Sequence, residues 1–289
     1  MKGSMLACVV SLWLAACGSL EPHGAAQSIT LDGSPNGLAV RSSDGAIFIT
    51  DDVANAILVS RDAARFAPYA TVPNGGAPRH SLSQIATGAD GNLFGTRFGF
   101  GTASAIFRVD ASDGVSLASG IHPERRRLGL VVLNDGKELL SSWFVKQGEG
   151  GVSLVTGDIE RDLVTGLGKP VGIAVSHDTL YITDQTNNRI VKVDLQAALG
   201  ASAPVPATEV FATVPSPDLL AVSPDGALYT KCGEHGLCRI SKTGENTTLA
   251  TDFEEPRGVA VDAARKRLLA VDRARGAGRP SRLRIIPLD

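Results

Sequence analysis

A motif that recurs along most of the chain constrains its fold more than any other feature. Gly37-Leu-Ala-Val40 is followed by an Asp44-Gly45 turn, then Ile47-Phe-Ile-Thr-Asp51 and an apolar run from Ile57. The same order returns as Gly172-Ile-Ala-Val175 with Leu180-Tyr-Ile-Thr-Asp184, as Leu219-Leu-Ala-Val222 with Leu228-Tyr229, and as Gly258-Val-Ala-Val261 with Leu268-Leu-Ala-Val-Asp272. Two weaker copies begin at Gln84 and Gly129. Successive starts lie 47, 45, 43, 47 and 39 residues apart, so six copies tile the chain. Each copy reads as short apolar or alternating strands separated by Asp-Gly turns, which are hairpin signals. Four strands in a repeat of roughly 40–50 residues is the pattern of a β-propeller blade. The chain is therefore read as all-β, a six-bladed β-propeller with four-stranded blades.

Ring closure is also predicted. The last copy stops after its third strand, and Ser28-Ile-Thr-Leu31 supplies a spare strand at the other end. Joining them in one sheet removes an open edge. The propeller is thus expected to span 28–289.

The first residues have a different character. Met1-Lys2 is a short positive start, and an apolar run from Met5 to Ala16 leads to Leu14-Ala-Ala-Cys17-Gly18-Ser19. The run is shorter than the ~20 apolar residues a span needs, and its small-residue end marks a cleavage site. This stretch resembles a bacterial lipoprotein lipobox. The resemblance implies a signal peptide over 1–16, cleavage before Cys17, acylation of that cysteine and a lipidated tether over 17–27. A membrane-anchored protein, exported to the bacterial outer membrane and facing the periplasm or the cell surface, is expected. Cysteine use agrees with export. Cys8 leaves with the signal, and Cys232 and Cys238 should form a disulfide in an oxidising compartment. Metal binding by that pair with Glu234 and His235 is the alternative, but no second cysteine pair completes a zinc site.

The 28 basic and 30 acidic side chains nearly balance, which gives no electrostatic case for nucleic acid. A monomer is expected.

The segment from Pro170-Val-Gly172 to Val193 resembles the NHL repeat. More broadly the chain resembles the six-bladed SMP-30/gluconolactonase group, whose calcium-dependent lactonases hold a cation near the axis. That resemblance implies Ca2+ or another divalent cation as cofactor, with Asn36 of Asn36-Gly-Leu and Asp218 of Pro217-Asp218 as ligands. These elements lie on blades one and five rather than on successive blades. The family's early glutamate and second asparagine have no counterpart.

Strand direction places the start of each innermost strand and the end of each second strand on one face. The starts carry Asn36, Ser83, Arg127, Val171, Asp218 and Arg257. The ends carry Asp51, Arg97, Ser142 or Trp143, Asp184, Cys232 and Asp272. The repeated Asp51, Asp184 and Asp272 either cap their own turns or add ligands to an axial site. His80, His122 and His235 fall on the same face. Blades two and three have longer hairpins, from Arg97-Phe98-Gly-Phe100 and from Trp143-Phe144, in a chain of few aromatics. With Arg79, His80 and Arg127 they form a candidate binding face, because aromatic rings beside arginines suit a protein, peptide or carbohydrate ligand. Ligand binding or scaffolding at the cell envelope is the leading expectation; a metal-dependent lactonase is the alternative.

Overall fold

A computed structural model describes residues 27–288 apart from 75–80, 113, 119 and 277. The lipobox, Cys17, Arg79 and His80 lie outside the described residues. No helix among the described residues is long and apolar enough to cross a membrane.

Six antiparallel sheets follow one another around a ring. Blade 1 runs Pro35–Val40, Ile47–Asp51, Ala56–Ser60 and Ala67–Thr71. Blade 2 runs Ser81–Thr87, Leu93–Phe98, Ala105–Val109 and Val115–Leu117. Blade 3 has longer strands, Arg126–Leu133, Glu138–Lys146, Glu149–Thr156 and Ile159–Leu167. Blade 4 comprises Pro170–Ser176, Thr179–Asp184, Arg189–Asp194 and Val210–Thr213. Blade 5 comprises Leu220–Val222, Leu228–Cys232, Gly236–Ile240 and Asn246–Ala250. In blade 6, Pro256–Asp262, Arg267–Asp272 and Ser281–Pro287 are completed by Gln27–Leu31, with Ile29 opposite Leu283. The first described strand therefore closes the ring, as its sequence predicts. One addition departs from the regular plan. A helical turn, Leu195–Gly200, and the two-residue strand Val205–Pro206 interrupt blade 4, and that strand pairs parallel with the outer edge of blade 3.

Packing explains the repeated glycine. A Cβ at Gly37 would collide with the Ser83 carbonyl, at Gly129 with the Val171 carbonyl, at Gly172 with Asp218 and Leu220, and at Gly258 with the Asn36 carbonyl. At these four crossings neighbouring inner strands approach too closely for a side chain, whereas blades 2 and 5 carry Gln84 and Leu219 at the same position. A hydroxyl on the second strand locks four of the six crossings. Thr50 accepts from the Gly37 amide at 2.7 Å and donates to Ser83 O at 3.2 Å. Thr96 donates to Leu128 O, Ser142 to Val171 O and Thr183 to Asp218 O. Each hydroxyl satisfies backbone groups that the close approach would otherwise leave buried without partners.

The core lies between blades, one apolar layer per crossing. Phe48, Ile57, Leu93 and Phe107 fill the first crossing, and Leu154, Leu163, Ile173 and Ile182 fill the third. Cys232 and Cys238 form the expected disulfide across the blade 5 hairpin, with Cα atoms 5.7 Å apart.

Candidate functional site

The repeated aspartates are built into the scaffold. Asp51 accepts the Val53 and Ala54 amides at 2.8 and 3.0 Å. Asp184 accepts the Gly168 and Lys169 amides at 3.0 Å and pairs with Arg189 at 3.1 Å. Asp272 accepts the Glu254 and Glu255 amides, and burial pushes its carboxyl up. Each fixes a turn or the loop that enters its blade's inner strand.

The residues flanking these fixed points face the mouth of the ring, and they differ from blade to blade. At the repeat position that follows Asp51 stand, blade by blade, Asp52, Phe98, Phe144, Gln185, Gly233 and Arg273. At the position that precedes Pro35 stand Ser34, Ser81, Arg126, Lys169, Ser216 and Glu255. Backbone bonds such as Asp52 N to Ser34 O, Gln185 N to Lys169 O and Arg273 N to Glu255 O hold the two sets together. Reading the variable neighbours of the repeated aspartates, rather than the aspartates themselves, would have found this set from sequence.

Over blades 5, 6, 1 and 2 these residues form a chain of alternating charge. The Asp218 carboxylate accepts from Arg257 at 3.2 Å, and Arg257 also donates to Glu255. Glu255 accepts from Arg273 at 2.8 Å, and Arg273 donates to Asp52 at 3.2 Å. The Ser81 hydroxyl donates to the same Asp52 oxygen at 2.7 Å, while the Asn36 amide donates to Leu82 O at 2.7 Å. The other Asp52 oxygen is buried and has no hydrogen-bond partner among the described residues. Burial pushes the Asp52 carboxyl up to about 6 against the pull of Ser81, Arg273 and Arg257. Lys231 and Lys169 lie beside this chain. Burial lowers both ammonium groups, partly offset by the Asp218 carboxylate.

Blades 2 to 4 contribute an aromatic half. The Phe98 and Phe144 rings lie 6.1 Å apart. The Arg126 guanidinium lies 3.7 Å from the Phe100 ring centre and 5.2 Å from that of Phe144. The Lys169 ammonium stands 5.7 Å from Phe144.

The other candidate residues fall elsewhere. The structure brings Phe98, Phe100 and Phe144 together, with Phe144 itself buried, and removes Arg97, Trp143 and Arg127 from the surface. Arg97 is fully buried and donates to Ala103 O at 2.7 Å. Arg127 is also fully buried, paired with Glu160 at 2.7 Å, and Trp143 is buried with the Arg125 guanidinium 3.8 Å from its ring centre. Arg127 pairs across from Trp143 as Pro35 does from Asp51, so the blade 3 counterpart of Asn36 is Leu128, not Arg127. His235 turns its ring to the Phe253 carbonyl at 2.8 Å.

The donor set does not fit the divalent cation that the family resemblance implies. Arg257 stands between Asn36 and Asp218 in the blade order, and its guanidinium occupies the Asp218 carboxylate. Asp51, Asp184 and Asp272 each commit one oxygen to backbone amides, and Asp184 gives its other to Asn187 and Arg189. Among the described residues, no three His, Cys, Asp or Glu side chains are grouped to hold a metal ion.

No protein-family model and no curated protein matches the chain. Solved structures do. A gluconolactonase from Xanthomonas campestris superposes with a TM-score of 0.72 at 18% identity, covering 91% of this chain and 90% of its own. Regucalcin from Agrobacterium tumefaciens, described as a calcium-binding protein, gives 0.67 at 17% identity, covering 88% and 93%. The PQQ-bound aldose sugar dehydrogenase from Streptomyces coelicolor gives 0.64 at 14% identity, covering 90% and 98%. The chain thus has the six-bladed propeller fold of the gluconolactonase-like proteins.

Proposed function

We propose that the mouth of the ring is a small-molecule site and that its chemistry is hydrolysis of a lactone or ester. The Asp52 carboxyl carries this reading. Its burial, its half-free oxygen and its shift towards neutrality are the properties of a general base that works near neutral pH. Asp52 takes a proton from water as that water's oxygen bonds to the acyl carbon. Arg257 and Lys231 stabilise the charge that gathers on the carbonyl oxygen. The carbon–oxygen bond to the leaving alcohol then breaks, and the alcohol recovers the proton. The fold shared with the gluconolactonase and regucalcin structures supports this over pure scaffolding. No step runs through a metal, because the donor set does not suit one.

Binding without turnover is the second reading. It rests on the aromatic half of the face, which offers area for a ligand but is lined by no carboxylate. Hydrolysis of a panel of lactones and aryl esters separates the two. Turnover that rises through pH about 6 and disappears in Asp52→Asn supports the hydrolase, and absence of turnover across the panel supports binding alone.

Export and anchoring through Cys17 belong to the same proposal. Cys17→Ser should move the protein from the membrane fraction to the soluble one, and an unchanged membrane fraction would contradict it.

A further inference from the structure

We infer that the cavity beside the mouth, between blades 2, 3 and 4, is a subsite for an anionic head group attached to a flat apolar ring. The inference rests on the small-molecule reading of this face but not on hydrolysis. Phe98, Arg126, Phe144, Lys169, Gln185 and Thr186 line an open cavity of about 570 Å³, large enough for a ligand of drug-like size. Among the described residues its cations have no direct carboxylate partner, and Asp218 acts on Lys169 only at longer range. Among the described residues Arg126 has no carboxylate partner; its guanidinium lies on two phenyl rings, and its Nε is buried without a hydrogen bond. Among the described residues the Lys169 ammonium donates only to the neutral Gln185 side-chain oxygen, at 2.7 Å. Lys231, close enough to Lys169 for the two to repel, has no direct carboxylate among them either, although Asp218 and Glu255 act on it at longer range.

Across the mouth from it, Arg257, Arg273 and Arg275 are paired with acidic side chains. Three incompletely compensated cations in a protein of net charge −2 make a local site of positive potential. The Phe100 and Phe144 rings hold Arg126 in place, and Phe98, backed by the buried Phe144, is left as an apolar wall. An aryl carboxylate or aryl phosphate meets both demands: its charge supplies a direct counter-ion, and its ring stacks against Phe98.

Calorimetry with phenyl phosphate, phenylacetate and neutral benzyl alcohol tests this. The two anions should bind and the alcohol should not, with phenyl phosphate tighter if the site takes a dianion and phenylacetate tighter if it takes a carboxylate. Lys169→Met should weaken anion binding by about tenfold or more. Arg126→Met should do likewise, both without lowering the melting temperature. Equal binding of the alcohol, undiminished anion binding in folded Lys169→Met, or no binding of either anion would overturn the subsite. Anion binding in a protein that hydrolyses no lactone overturns only the hydrolase, and lactone turnover without anion binding overturns only the subsite.

Discussion

The crossing between blades 3 and 4 and the crossing between blades 2 and 3 solve one packing problem with opposite chemistry. The first is hydrocarbon, with thirteen buried side chains including Leu154, Leu163, Ile173 and Ile182, reinforced by Leu195 and Ala198 of the inserted helical turn. The second has only five among the described residues, Phe94, Ile106, Leu130, Leu139 and Val155. On the same face of blade 3 as Leu139 and Val155, Glu160 takes the remaining space. It accepts from Arg125 and Arg127 at 2.7 Å, from Ser153 at 2.6 Å and from the His122 amide at 2.7 Å. A repeat therefore specifies how blades are spaced, not what fills the space. The blades that stray furthest from the motif bury charge at their crossing and also carry the aromatic half of the mouth.

Breaking the ionic crossing should have the largest effect. Glu160→Gln leaves Arg125 and Arg127 buried without full compensation and should cost about 3–5 kcal/mol, measured by denaturant unfolding. Replacing Arg127 and Glu160 together with Met and Leu should cost far less and leave the fold intact. A double variant as unstable as the single one would mean that the pair supplies more than mutual compensation. Acid sharpens the contrast. Burial alone would raise the Glu160 carboxyl, but the Arg127 guanidinium and the Ser153 hydroxyl hold it at about 2. Because the folded value lies below the ordinary one of 4.5, its stabilisation is complete above that range and is lost as pH falls towards 2. Leu163→Ala at the hydrocarbon crossing should cost about 2–5 kcal/mol, and that loss should be the same at pH 4 and pH 7.

Smaller effects test the regular blades. Cys232→Ser with Cys238→Ser should cost about 2 kcal/mol, since the closed loop is short, and thermal unfolding under reducing conditions should reproduce the loss. Asp184→Ala should cost about 1 kcal/mol through its lost loop and Arg189 contacts. A cost above that of Glu160→Gln would reverse the order proposed for the two regions.

The fold was legible because its constraints repeat. Gly37, Gly172 and Gly258 mark the closest approach of inner strands, and the spare strand at Ser28 signals closure. Cys232 and Cys238 are close enough in sequence to be matched by eye. The site was less legible because its residues do not repeat. Asp51 stands out by recurring, yet it caps a turn, and the neighbour proposed as the base is Asp52. Arg127 was misplaced by one position in the inner strand, which exchanges mouth for interior because alternate residues face opposite sides. Its partner Glu160 comes from the outermost strand, 33 residues away, a pairing that no local pattern announces. The inserted turn at Leu195–Gly200 packs on blades 3 and 4 and likewise carries no repeat signal.

The central claim is that the charged chain at the mouth performs metal-independent acid–base chemistry through Asp52. Its most direct test is lactone hydrolysis by the chelated protein, followed across pH 4–9 alongside Asp52→Asn. Turnover that survives chelation, rises with an apparent pKa near 6 and vanishes in Asp52→Asn is the predicted result. Turnover that requires added calcium and persists in Asp52→Asn would contradict it.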